Sequence, residues 1–448
     1  MLLLDFVRYH EHLMGTKIGC REGDCGACTV LVGELVGGKI RYRSAVSCLT
    51  ALGNAHGKHV VTVEGVNRET GLNPLQQAIG EEGGTQCGFC TPGFIVSMAG
   101  FCLGEGEPSY KNALAAVDGN ICRCTGYKSI QRALMRIVVL LEGKADNAVD
   151  FSVGQGLLPA YFKTIAGRLR ALSTEPNGVF SPGGRFLGGG TDLYVQQHEA
   201  MVESDIEFLF NREGLKGIAL DGRRCVIGGA ATVSDLMESP IMQQAFPRLD
   251  QYARLISSTP IRNIATLAGN FVNASPIGDL SIFFLALDAM LVLNDGVTTR
   301  ELPLRKFYLG YKVLAKRPEE FIEKIYFDMP GPGTLFHFEK VSKRTCLDIA
   351  SVNTALRITV RDSTIVEAHL AAGGVGPVPA FLAGASAMLR GQRLEEAVVL
   401  GAVETARAEV TPISDTRGEA AYKSLLLGQL IKAHFLTLFP ELEAAKLV

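Results

Sequence analysis

Nine of the chain's eleven cysteines fall within its first 124 residues: Cys20, Cys25, Cys28, Cys48, Cys87, Cys90, Cys102, Cys122 and Cys124. In "GNICRCTGY", residues 119–127, two of them stand a single residue apart. Thiols this crowded in a reducing compartment mark metal ligation or redox chemistry rather than disulfides. The start "MLLLDFVRYHEH" meets Asp5 after three leucines, and the longest apolar run, "SIFFLALDAMLVL", contains Asp288. Neither is long enough for a secretory core or a membrane span, so a cytoplasmic location is expected. A formal net charge of −2, with basic residues scattered along the chain, gives no electrostatic reason to bind nucleic acid or an anionic membrane.

The cysteines sort into two quartets. Cys20-x4-Cys25-x2-Cys28, with Cys48 nineteen residues on, has the plant-type ferredoxin spacing, in which three thiolates curl around one 2Fe-2S rhomb and the fourth arrives from a later segment. Gly19, Gly23 and Gly26 let the backbone approach such a cluster without a steric penalty. The alternative is structural zinc, which usually shows two paired C-x2-C knuckles. Cys87-x2-Cys90 with Cys122-x-Cys124 suits zinc as well as iron on spacing alone. Each of these pairs precedes a helical pattern, where the positive end of the helix favours thiolate and an anionic cluster. Two adjacent clusters form an electron wire. Cys102 sits in an apolar helical run, and it, Cys225 and Cys346 are read as small buried core residues.

A chain of 448 residues implies several domains. Residues 16–66 alternate short β-type runs ("CTVLVG", "KIRYRSAV", "HVVTVEG") with glycine turns. Residues 73–142 carry four helical patterns, each ending at glycine, which predicts a four-helix bundle. Polar and glycine-rich residues 143–160 read as a linker, followed by a helix at 161–173 and mixed patterning. A further boundary falls near 324–333. Beyond it, "LRITVRDSTIVEAHLAAGG" predicts an antiparallel hairpin and 381–439 predict helices. "RFLGGGTDLYVQ" runs from a short strand into three glycines, a nest able to cradle a pyrophosphate or simply a turn. G-x-G-x-x-G is absent, so a nicotinamide fold is not supported. "TPIRNIATLAGNFVNASPIGDL" either wraps a polar ligand or packs as an ordinary connection.

"GCREGDCGACTV", "QCGFCTPGFIVSMAG", "NICRCTGY", "GGGTDL" and "ATLAGNFVNASPIGDL", in this order over nearly the whole chain, resemble the iron-sulfur and FAD subunit of bacterial xanthine dehydrogenase, in the molybdenum hydroxylase (xanthine oxidase) family. The resemblance implies a multidomain α+β protein. Its parts are a β-grasp ferredoxin-like 2Fe-2S domain (1–66), a helical four-helix 2Fe-2S domain (67–142), a linker (143–160), an FAD-binding domain of the vanillyl-alcohol-oxidase type (161–330) and a small α+β C-terminal flavoprotein domain (331–448). It assigns Cys20, Cys25, Cys28 and Cys48 to the flavin-side cluster, and Cys87, Cys90, Cys122 and Cys124 to the molybdenum-side cluster. Gln86 takes the position that contacts the partner's pterin.

For FAD, the resemblance assigns Leu187, Gly188, Gly189, Gly190, Thr191 and Asp192 to the first loop, and Ala265, Thr266, Gly269, Asn270, Ser275 and Asp279 to the second. Lys340 lies near the isoalloxazine. Without the family, Asp279 reads as a helix N-cap and Lys340 as a surface charge.

The implied activity is that of a xanthine dehydrogenase-type oxidoreductase in purine catabolism. A molybdopterin cofactor on a separate large subunit oxidises xanthine or hypoxanthine, and electrons pass through both clusters to FAD and on to NAD+. No residue of this chain is then catalytic in the hydroxylation itself. The expected assembly is a heteromer, such as a dimer of heterodimers. Aldehyde, nicotinate or other N-heterocycle dehydrogenases share this electron-transfer part, a quinone or ferredoxin can replace NAD+ as acceptor, and a zinc-binding scaffold is the alternative from another class. Two departures stand out. The family's β-hairpin of some twenty residues before "LLDFVRYHEH" is not in this sequence, so the expectation is either a wrongly assigned start codon or a β-grasp sheet that lacks strands and has its edge covered by another chain, and Ile256 replaces an aromatic residue that often stacks near the flavin.

Overall fold

The computed structural model describes residues 1–144, 146–172 and 183–447. The chain divides into two compact units, Met1–Asn211 with Ser258–Ala265, and Arg212–Ser257 with Thr266–Val448.

In the first unit, strands Lys39–Val46, Thr29–Val36 and His59–Val61 form an antiparallel sheet in that order. Gly37 and Gly38, with φ of 57° and 81°, close the first hairpin as two residues of positive φ, the turn whose twist matches the strands. Before the sheet, the helical turn Leu3–Asp5 runs into a π-helical turn, Phe6–His10, burying Leu2, Leu3, Leu4 and Val7.

Four helices follow, Pro74–Glu81, Thr91–Leu103, Tyr110–Ala116 and Lys128–Leu140, as the sequence pattern predicts. Asn73 and Gln76 close a capping box at the first of them, with Pro74 at its opening position. Thr91–Leu103 is apolar on all sides and is therefore central, with Phe94, Ile95, Val96, Met98 and Ala99 buried among Ala113, Leu134 and Ile137. Cys102 is fully buried there, as expected.

The expected linker is not featureless. Ala148–Gly154 is a helix capped by Asn147, and Ser152 is buried under it with its hydroxyl directed to the Cys102 carbonyl. Ala145 lies outside the described residues, as does Ser173, the last residue of the helix expected at 161–173 and observed as Phe162–Ala171. Farther on, Arg185–Leu187 and Ile206–Phe208 pair in parallel, and Leu187, Tyr194 and Met201 share a core with Leu2, Val30 and Val46.

The second unit holds a five-stranded antiparallel sheet in the order Ile218–Asp221, Arg224–Gly228, Phe321–Asp328, Met290–Asn294, Thr299–Pro303. A four-stranded sheet orders Thr334–Val341, Val352–Arg361, Thr364–Gly373 and Ala380–Phe381. Its two long strands are the predicted hairpin, turned at Asp362 and Ser363, both of positive φ. Helices Ala383–Leu389, Glu396–Ala408 and Ala420–Leu438 supply Leu389, Val403, Ile431 and Phe435 to the core this sheet shares. Cys225 is fully buried, as expected; Cys346 is not a core residue but half-buried, because it lies in the loop after Val341 rather than on a strand. Among the described residues no helix is long and apolar enough to cross a membrane.

Two histidines are buried at the heart of this second core. His337 Nδ1 and His434 Nδ1 stand 2.8 Å apart, and His434 Nε2 is 2.8 Å from Thr354 Oγ1. One hydrogen between two ring nitrogens requires that the accepting ring be neutral, so the two rings cannot both be protonated. Burial, and then the nearby Arg248, push the His337 pKa down to about 4; burial, and then His337, push His434 well below its usual value. The unfolded chain therefore binds more protons than the folded one below pH 6.5, and stability falls on acidification. Urea unfolding followed between pH 7 and pH 4 should show a loss of about 3 kcal/mol from His337 alone, at 1.36 kcal/mol per pKa unit, and a flat profile over that window contradicts the neutral pair.

Candidate cluster and flavin sites

Both cysteine quartets lie in the first unit, and none of their eight thiols is in a disulfide. The 20–28 loop is shaped by glycine. A Cβ on Gly19 would stand 2.6 Å from Cys25 Sγ, and one on Gly26, at φ 67°, would stand 2.3 Å from the Gly119 carbonyl oxygen. Cys48 arrives from the turn after Lys39–Val46, fixed by Ser47, whose Oγ donates to the Cys28 carbonyl at 2.7 Å.

The four thiols perturb one another strongly. Cys20 is driven well below the usual thiol range, by Cys25 first and then Cys48; Cys28 is lowered by Cys48; Cys25 is raised by Cys20, and Cys48 by Cys20 and Cys28. Neighbouring thiols thus share protons, some holding them so that others can ionise.

Cys90 is the N-cap of Thr91–Leu103, with Pro92 in the first turn where a missing N–H costs nothing. Burial, and then Cys122, push the Cys90 thiol up to about 12. Cys122 is lowered despite burial, by the Thr125 hydroxyl and by backbone N–H groups. Gly126 and Tyr127, at φ 64° and 69°, turn the chain before Lys128–Leu140, and the Cys122 N–H donates to the Tyr127 hydroxyl at 3.1 Å. This turn explains the x spacing of Cys122 and Cys124: each thiol faces a different partner. Cys124 Sγ lies 3.6 Å from Cys87 Sγ, while Cys122 pairs with Cys90. Cys87, Cys124 and Gln86 are exposed.

Among the described residues no three His, Cys, Asp or Glu side chains are disposed around a single metal ion. In the second quartet the thiols form two linked pairs, Cys87–Cys124 and Cys90–Cys122, while in the first Cys20 links to Cys25 and Cys48, and Cys48 also to Cys28; metal–thiolate bonds of about 2.3 Å set two thiolates on one tetrahedral metal about 3.8 Å apart. The Cys87–Cys124 separation fits that distance, and the two pairs of the second quartet fit a two-iron rhomb in which each iron takes two thiolates.

The first glycine loop also belongs to the first unit. Leu187 is fully buried, the Asn54 amide donates to the Gly188 carbonyl at 2.9 Å, and a Cβ on Gly189 would stand 1.8 Å from the Ile264 carbonyl oxygen. Gly190 has φ 86°. Thr191 and Asp192 lead into the short helix Leu193–Gln196. Ala265 ends the first unit, and Thr266 to Asp279 belong to the second. Thr266 caps Leu267–Asn273, its Oγ1 accepting from Gly269 N at 3.1 Å. Asn270 Oδ1 accepts from the N and Oγ of Ser281, both at 3.2 Å, and Ser275 Oγ accepts from Ile277 N.

Asp279 is not an N-cap; Gly278 is, and Asp279 sits in the first turn of Asp279–Ala286. Lys340 is not a surface charge. Its side chain is 1% exposed, and the ammonium donates to Asp279 Oδ2 at 2.7 Å, the Leu255 carbonyl at 2.7 Å and the Asp348 carbonyl at 2.8 Å. Asn353 donates to Asp279 Oδ1 at 2.6 Å. Ile256 is buried.

Sequence reasoning missed Asn353, and also Asp118, which takes Arg262 Nη2 at 2.6 Å in a nearly buried pair within the first unit. The only signal for either was a polar residue amid apolar neighbours.

Comparison with known proteins bears on the same segments. Residues 1–52 match a 2Fe-2S iron-sulfur cluster binding domain, 62–135 a [2Fe-2S] binding domain, 162–329 the FAD binding domain in molybdopterin dehydrogenase, and 337–438 the CO dehydrogenase flavoprotein C-terminal domain. The chain therefore carries two 2Fe-2S-binding domains and an FAD-binding domain. It is 28% identical to xanthine dehydrogenase of Emericella nidulans over 89% of this chain and 34% of the relative, and 28% identical to xanthine dehydrogenase/oxidase of Rattus norvegicus over 83% and 32%. It thus spans about a third of the length of these relatives. Carbon monoxide dehydrogenase from Hydrogenophaga pseudoflava superposes with a TM-score of 0.54 at 27% identity, covering 56% of this chain and 88% of that one. Quinoline 2-oxidoreductase from Pseudomonas putida 86, at 20% identity and a TM-score of 0.52, shares the fold.

In this chain the Lys340–Asp279 pair ties the second loop segment to the strand Thr334–Val341. Replacing Lys340 with Met leaves the partly buried Asp279 without its charge partner, which should cost about 2–3 kcal/mol in urea unfolding. The double variant Lys340→Met/Asp279→Leu should recover part of that loss, and a loss below 1 kcal/mol in the single variant contradicts the pairing.

Proposed function

We propose that this chain is the electron-transfer subunit of a molybdenum hydroxylase. Cys20, Cys25, Cys28 and Cys48 hold one 2Fe-2S cluster, and Cys87, Cys90, Cys122 and Cys124 hold the other. The loops Leu187–Asp192 and Ala265–Asp279, the latter through Ala265, Thr266, Gly269, Asn270, Ser275 and Asp279, hold FAD, with Lys340 beside them. The domain boundaries proposed are 1–66, 67–142, 161–330 and 331–448, joined by 143–160.

The observation that carries the reading is the gathering of each thiol quartet into mutual contact, with Cys124 3.6 Å from Cys87, Cys20 linked to both Cys25 and Cys48, and no room for a side chain at Gly19. When bound, such clusters relay single electrons and FAD couples one- and two-electron steps. The chain's own contribution is to fix thiolates, exclude side chains from the loops at Gly19, Gly26 and Gly189, and bury the pair beneath the second loop.

On this reading a molybdopterin-binding subunit is the partner, xanthine or hypoxanthine the substrate, NAD+ the acceptor, and a reducing cytoplasm the setting. Support comes from relatives named xanthine dehydrogenase, which match 83% to 100% of the chain. The resemblance to carbon monoxide dehydrogenase structures, at 26% to 27% identity, favours a second reading in which the same electron-transfer role serves another substrate. The molybdopterin-binding partner decides between them.

Anaerobic purification with the partner should yield about four iron atoms per chain and bound FAD reducible by NADH. Cys124→Ser should lose about half the iron while NADH still reduces the flavin. Stoichiometric zinc with no iron contradicts the proposal; xanthine turnover by the complex distinguishes the first substrate reading from the second.

A further inference from the structure

One side chain bridges the Cys20–Cys28 loop and the helix that Cys90 caps, two residues ahead of Cys122. Asn120, 5% exposed, immediately precedes the Ile121–Cys122 step. Its Nδ2 donates to the Gly26 carbonyl at 3.0 Å, between Cys25 and Cys28, and its Oδ1 accepts from Ser97 Oγ at 2.7 Å, within the helix that Cys90 caps. The Gly26 carbonyl also accepts from Thr29 N at 3.1 Å and Thr29 Oγ1 at 2.6 Å. Next to it, Ile121 N donates to the Cys25 carbonyl at 3.0 Å.

The neighbours of the amide are shaped to admit it. A Cβ on Gly26 would stand 2.6 Å from Asn120 Nδ2, and one on Gly93 would stand 3.1 Å from Nδ2 and 2.2 Å from the Gly26 carbonyl oxygen. Gly26 and Gly93 are thus small where the amide enters. A buried amide that gives a donor to one loop and an acceptor to another fixes both in direction as well as distance, since neither bond can be exchanged for water.

We infer that Asn120 is a positioning residue that holds the two cysteine quartets at a fixed separation and orientation. The inference rests on the cluster reading of those quartets. Asn120 touches no thiol; it acts through the Gly26 carbonyl and through Ser97. Asn120→Ala removes both bonds while leaving all eight thiols in place, and Ser97→Ala removes only the bond that orients the amide.

The test combines two measurements on the purified chain. Hydrogen exchange at the Ile121 amide should be as protected in the wild type as core helix amides, and about tenfold faster in Asn120→Ala, the factor expected for about 1.4 kcal/mol of lost hydrogen bonding. Paramagnetic resonance of the reduced chain should show magnetic splitting between two centres, smaller or broadened in Asn120→Ala at unchanged iron content, with an intermediate effect in Ser97→Ala. Unchanged splitting and unchanged Ile121 exchange in Asn120→Ala overturn the inference. If Asn120→Ala fails to accumulate, the wild-type measurement decides: Ile121 exchanging as freely as an exposed loop overturns it. A chain without iron contradicts the cluster reading instead, and leaves the exchange measurement to test the seam by itself.

Discussion

Four thiols held within reach of one another cannot all ionise unless a cation lies among them, because each thiolate raises the proton affinity of the next. That constraint organises the first unit. Cys25 and Cys48 are pushed up and Cys20 and Cys28 down by the same contacts, and the second quartet splits likewise, with Cys90 raised and Cys122 lowered. On the proposed reading, two metal ions would meet this constraint by each taking a pair of thiolates. The backbone bears the conformational burden through Gly26 at positive φ, the Gly126–Tyr127 turn, and the glycines whose missing side chains leave room for sulfur.

The rest of that unit keeps the crowded loops from relaxing. The apolar helix Thr91–Leu103 anchors the Cys87–Cys90 turn in a core of Phe94, Met98, Leu134 and Ile137. The Cys48 segment is clamped by Ser47 against Cys28, and Asp118 is pinned by Arg262 just ahead of Cys122. In the second unit a different buried charge does comparable work: Lys340 has all three of its protons on protein acceptors, one of them the first-turn Asp279. Rigid placement of a redox site by elements whose own bonds are satisfied is what low reorganisation during electron transfer requires.

Legibility in the sequence followed the range of the interaction. The cysteine spacing, the hairpin at 352–373 and the helices near 74–140 could be read because their determinants, ligand spacing, glycine turns and caps such as Asn73–Gln76, are local. The roles of Asp279 and Lys340 could not, because a sequence displays a charge but not its burial; 61 residues separate the two. The helix Ala148–Gly154 hid in a polar, glycine-rich stretch because its Asn147 cap and its packing, rather than periodicity, determine it. Nor did any pattern announce that Leu187, Tyr194 and Met201 would share a core with the first residues of the chain.

The central claim is tested most directly by reducing the anaerobically purified wild-type chain with dithionite and recording its paramagnetic resonance alongside iron and acid-labile sulfide analysis. The account predicts two distinct centres, each integrating to about one spin per chain, with iron and sulfide in equal amounts. A silent spectrum from protein containing zinc, or iron without sulfide, would contradict it.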